Sequence, residues 1–208
     1  MHNIFFIIAL TLLSMNTVAA NAKEQHTTSI PTRELQNFTT NSEPVKKLIT
    51  FALDLATKNL GYLYGSADIK NGGMDCSGTI YYLLTQLNIK EVPRSSDLIY
   101  QWVREKGHFY AVNKPQFSSS EFSHLQPGNL LFWSGTYAIK RKFNVTHVML
   151  YLGKNKEGEP LMVGSSDGRT YKGKKIYGVS VFDFQLPNEY SKSKFLGYSC
   201  IPHINCPT

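Results

Sequence analysis

The chain has 208 residues, 42% of them hydrophobic and 18% charged, with a formal net charge of +7 and a pI near 9.2. That length suits one domain with a full core, and the basic balance suits an anionic polymer such as cell wall, lipid surface or nucleic acid. No nucleic-acid motif or long basic block is present, which sets nucleic acid aside as a partner. No second long apolar run follows the first, so stable membrane insertion of a mature chain is not expected.

In chain order, Ile4 to Leu13 is an apolar run too short to span a bilayer as a helix, and Ala20-Asn21-Ala22 fits an A-x-A cleavage site. The expectation is a signal peptide over 1–22, with an uncleaved anchor as the alternative, and hence an exported protein, periplasmic or secreted. Residues 23–41 read as a flexible polar tail, and 42–208 as a single domain. Ser42 caps a helix in which Val45, Leu48, Ile49, Ala52, Leu55, Ala56 and Leu60 form one apolar stripe stopped by Gly61.

A loop rich in Gly and Tyr leads to Asp75-Cys76-Ser77-Gly78 and a helix over 76–87. Backbone N–H groups at a helix start lower a thiol pKa, so Cys76 is expected to be a nucleophile that alkylates quickly near neutral pH. Ser95 or Ser96 caps a third helix over 97–106, and 107–124 reads as loop. Strands are expected at 130–133, 146–152, 161–163, 178–184 and 195–201, which places helices first and an antiparallel sheet after them, an α+β order.

Cys200 and Cys206 can close a terminal disulfide in an oxidising compartment, which leaves Cys76 as the odd thiol. The alternative is a metal site of Cys200, His203 and Cys206, with only three ligands at unusual spacing. A cysteine nucleophile needs a base, and His147 opens the apolar strand Val148 to Leu152. Arg94 and Arg169 read mainly as surface charges, with binding of a substrate carboxylate as the functional alternative.

Tyr62-Leu63-Tyr64-Gly65, Asp75-Cys76-Ser77-Gly78, Leu125-Gln126-Pro127-Gly128-Asn129 and His147-Val148-Met149-Leu150-Tyr151-Leu152-Gly153 occur in this order. Together they resemble the NlpC-type family of cell-wall cysteine peptidases, a branch of the papain-like superfamily, over about residues 45–165. The resemblance implies a papain-like α+β fold, no cofactor, and peptidoglycan or its peptide fragments as partner. The implied bond is an amide of the stem peptides, commonly γ-D-glutamyl–diamino acid. Cys76 matches the family nucleophile and His147 its base, while Asp75, Ser77 and Tyr62, with Tyr64 competing, match positions that hold substrate. The family's third polar residue falls near Val163 or Gly164, whose side chains cannot orient an imidazole, which leaves Ser165, Ser166, Asp167 or a backbone carbonyl for that role, or a Cys76–His147 dyad without a third side chain. An amidase acting on the muramoyl-alanine bond and a weakened wall-binding member are the alternative functions.

Overall fold

The computed structural model describes residues 27–207. The expected signal peptide, 1–22, lies outside them. Three helices pack on one face of a six-stranded antiparallel sheet: α1 (Glu43–Ala56), α2 (Cys76–Gln86) and α3 (Ser96–Lys106). The strands are β3 (Phe109–Ala111), β4 (Leu130–Ser134), β5 (His147–Lys154), β6 (Pro160–Tyr171), β7 (Lys174–Asp183) and β8 (Lys194–Ser199), in the order β3-β8-β4-β5-β6-β7. A parallel pair of two-residue strands, β1 (Gly61–Tyr62) and β2 (Gly73–Met74), crosses beside α2.

The apolar run of β4 follows from burial on both faces. Leu130 and Phe132 join the core under the helices, with Leu48, Ile80, Ile99 and Val148. Leu131 and Trp133 point the other way, into a cluster with Met149, Phe182, Phe184, Phe195 and Tyr198. With no polar face to present, such a strand reads as continuous hydrophobicity instead of alternation. The Pro127-Gly128-Asn129 turn is closed by Asn129, whose side-chain oxygen accepts from the Gln126 N–H at 2.8 Å.

Three expectations need correction. The α1 helix ends at Ala56, because Asn59 takes a left-handed φ of 53° and redirects the chain; Leu60 is buried outside the helix, and Gly61 opens β1. Residues 27–41 are not a loose tail: Leu35 is buried and bridges Asn155, and the Thr28 N–H donates to the Ser180 hydroxyl at 2.7 Å. The strand expected at 161–163 continues to Tyr171 and forms a long hairpin with β7, with a register shift between Ser166 and Arg169. Gly164-Ser165-Ser166-Asp167-Gly168 has turn-like composition, which hides a strand that is bulged rather than ended.

Cys200 and Cys206 are joined as a disulfide, which removes both sulfurs from the alternative metal site. Cys76 is the free cysteine among the described residues, and no His, Cys, Asp and Glu group there is arranged to hold a metal ion.

Candidate active site

Asp75 builds the setting of Cys76. As N-cap of α2 it accepts from the Gly78 N–H at 2.6 Å and from the Ser77 hydroxyl at 3.1 Å. Its second oxygen accepts from the Gly65 N–H at 2.8 Å, tying the preceding loop to the helix. Arg94 donates to both carboxylate oxygens, each at 3.0 Å, and to the Ser77 hydroxyl at 3.0 Å. A bidentate pair of this kind fixes orientation as well as charge. Arg94, expected mainly on the surface, is thus a clamp on the helix start.

Gly78 is required by proximity. A Cβ there would lie deep inside contact distance of the Ser66 carbonyl oxygen, which itself accepts from the Asp75 N–H at 3.1 Å. The Asp75–Gly78 run therefore packs directly on the Ser66 loop, and Cys76 emerges as the first residue of α2, only 6% exposed.

That burial changes the thiol's chemistry. Desolvation pushes Cys76 up to about 11, aided by the Asp75 charge, while amides of Val148, Ser77 and Cys76 itself pull less strongly in the opposite direction. The thiol thus departs from the lowered pKa expected at a helix start: the helix start favours the thiolate, but loss of water outweighs it. Below the pKa the thiolate fraction rises tenfold per pH unit, so iodoacetamide labelling of Cys76 is expected to accelerate about tenfold per unit from pH 7 to 10. A labelling rate already level at pH 7 contradicts this picture.

His147 is the first residue of β5, paired in register with Trp133 of β4. It is buried, and its ring lies 5.7 Å from that of Trp133. The next residue, Val148, directs its amide at the Cys76 thiol, which brings the strand start and the helix start together. No hydrogen bond joins Cys76 and His147 themselves among the described residues. The imidazole instead accepts from Arg169, whose Nε donates to His147 Nε2 at 3.2 Å.

Burial, with the Arg169 charge added, holds the His147 pKa well below the usual histidine range. Arg169 lies over Trp133, its guanidinium carbon 4.4 Å from the ring centroid, and burial lowers its pKa to about 10, which leaves it charged at neutral pH. It is thus an arginine of the site and not of the surface. None of Ser165, Ser166 and Asp167 hydrogen-bonds His147. The Ser165 hydroxyl donates to the Met74 carbonyl at 2.6 Å and locks β6 to β2, whereas Ser166 and Asp167 line the cavity beside Arg169.

Two cavities flank these groups. One of about 220 Å³ holds Cys76, Asp75, Ser77 and Arg94; the other, about 710 Å³, holds His147, Asp167, Arg169 and Lys175. Tyr62, Tyr64 and Tyr137 line both and form the ridge between them. Tyr62 has its pKa raised by burial and then by nearby Cys76 and Asp167, so its hydroxyl stays protonated and able to donate. Tyr64 is exposed and meets Tyr137 edge-on at 6.4 Å. Tyr137 carries no motif that marks it in the sequence. It is positioned by Arg141, which donates to its hydroxyl at 3.3 Å and to Asp97 of α3 at 2.8 Å.

The NlpC/P60 family model matches residues 59–173, more than half of the chain and the whole of this constellation from Tyr62 to Arg169. The chain belongs to the NlpC/P60 family. Members are in general cysteine peptidases associated with the cell wall. No curated protein sequence matches the chain. Among solved structures, a Staphylococcus aureus protein described as similar to a lipoprotein of the NLP/P60 family has a similar fold, with a TM-score of 0.51 and 20% identity. The similarity covers 79% of this chain and 45% of the Staphylococcus protein, so this chain spans about half of that protein's length. The fold is the papain-like α+β arrangement of the NlpC/P60 family.

Proposed function

We propose that this NlpC/P60 protein is an exported cysteine endopeptidase that hydrolyses the γ-D-glutamyl–diamino acid bond of peptidoglycan stem peptides. The observation that carries the reading is the meeting of Cys76, at the start of α2, with the head of β5, where Val148 faces the thiol and His147 precedes it. Export is supported by the lipoprotein description of the Staphylococcus relative and by the apolar N-terminal run; no described helix is long and apolar enough to cross a membrane. The +7 charge suits an anionic wall polymer.

In this reading His147 takes the Cys76 proton, and the thiolate attacks the amide carbonyl from the 220 Å³ side of the ridge. Amides at the start of α2 and the protonated Tyr62 hydroxyl meet the developing oxyanion. His147 then protonates the departing amine, which places the leaving fragment on its own side, in the larger cavity. Water, deprotonated by His147, releases the acyl fragment.

The test is product identity. Incubation with L-Ala-γ-D-Glu-meso-diaminopimelate is expected to yield L-Ala-D-Glu and the free diamino acid by mass spectrometry. Release of muramic acid from an intact muropeptide, with the stem peptide uncut, supports the amidase instead. A second reading, a wall-binding member with reduced catalysis, is favoured by the raised Cys76 pKa and by the arginine on His147.

A further inference from the structure

Arg169 is a cation with an unmet demand for an anion. Its guanidinium is desolvated against Trp133, and no carboxylate among the described residues forms an ion pair with it. Asp167 attracts it only through space. It opens into the cavity that also holds Lys175 and Lys192, so three cations, with Asp167 beside them, face the space where the leaving fragment sits in the proposed reaction. Its side-chain hydrogen bond among the described residues is a donation to an imidazole nitrogen, a weak counterpart for a half-buried charge.

That contact has a consequence for the proton inventory. Arginine only donates, so His147 Nε2 must present its lone pair and the neutral ring carries its proton on Nδ1. A ring in that state has no free lone pair with which to take a thiol proton. Removal of the Arg169 N–H from Nε2 lets the ring proton move to Nε2 through solvent. Nδ1 then accepts the proton from the Cys76 thiol, leaving a thiolate and an imidazolium with one proton on each nitrogen.

We propose that Arg169 is a positioning residue that makes the base conditional on a substrate anion: seated on His147 it holds the ring in the Nδ1–H form, and a free carboxylate on the leaving fragment draws it into the cavity and releases the base. The inference deepens the hydrolase reading and rests on it for the identity of the carboxylate. Selection and activation are then one event, because a fragment without the carboxylate leaves Arg169 in place. The groups that bear on this proton are Cys76 and Asp75 of α2 and its cap, Tyr62 of β1, Tyr137, His147 of β5, and Asp167 and Arg169 of β6.

The test compares wild type with Arg169→Gln, whose amide oxygen can accept from an Nε2–H, and reads two properties that need no substrate. The side-chain nitrogen shifts of His147 are expected to show an unprotonated Nε2 in wild type and a protonated one in Arg169→Gln. Iodoacetamide labelling of Cys76 at pH 7 is expected to be at least tenfold faster in Arg169→Gln. With the tripeptide and its diaminopimelate carboxamide as probes, wild type is expected to favour the free acid at least tenfold in kcat. Arg169→Gln is expected to cut both within about twofold.

A protonated Nε2 in wild type overturns the proposal, a measurement that holds even where the variant does not fold. Labelling rates within twofold of each other in two folded proteins, or equal wild-type cleavage of acid and carboxamide, overturn it as well. If neither peptide is cut, the hydrolase reading fails while the nitrogen shifts and labelling still decide the role of Arg169.

Discussion

His147→Ala is expected to lower kcat on the stem tripeptide about a thousandfold or more, with KM changed by less than about threefold. In the proposed mechanism the substitution removes the group that both accepts the thiol proton and returns one to the leaving amine, and losses of that order follow removal of a general base from a nucleophile pair. Substrate contacts on the ridge and at the Asp75 side are left in place, which is why KM is expected to hold. The Cys76 thiol, already raised by burial, loses the acceptor the proposal assigns to it. Far-UV circular dichroism checks that β5, paired on both sides with β4 and β6, is retained. A kcat within tenfold of wild type contradicts the role given to His147.

The second large effect is on stability. Asp75→Ala is expected to cost about 3 kcal/mol, because one substitution removes an N-cap, a loop tether and the partner of a half-buried arginine. Arg94 retains some access to water, which keeps the loss below that of a fully buried pair. For a domain of this size the change corresponds to a fall in melting temperature of about 10 °C. Asp75→Asn, which keeps the shape and can still cap Gly78, is expected to lose about half as much. Denaturant titration of both variants checks the order. Activity should fall in both, since the Asp75 contacts set where α2 begins and hence where Cys76 emerges.

What could be read in the chain differs by element. The helix start at Cys76 is legible because Asp75, Ser77 and Gly78 are local signals: a cap, a small polar residue and a position where only glycine clears the Ser66 carbonyl. The strand at His147 is legible because five apolar residues follow it without interruption. Arg169 is not, because its contact depends on the length of β6, and Gly164 to Gly168 looks like the end of a strand when it is a bulge within one. The chemical state of Cys76 is also hidden. Helix-start amides are local and favour the thiolate, whereas the burial that prevails comes from β5, β6 and the ridge, brought together from distant sequence. The packing of 27–41 has the same origin: Leu35, Ile30 and Phe38 are scattered apolar residues in a polar stretch, and the core they pack on and the bridge of Leu35 to Asn155 come from distant sequence.

Cys76 is the proposed nucleophile of a wall-peptide hydrolase, and digestion of purified peptidoglycan by wild type and by Cys76→Ala tests this most directly. The loss of one sulfur atom should preserve the fold, since Cys76 makes no side-chain hydrogen bond to another side chain among the described residues. Mass spectra of the soluble fragments are expected to show stem peptides cut after D-glutamate with wild type and none above background with Cys76→Ala. Identical fragment profiles from the two proteins, with or without cleavage, would contradict the account.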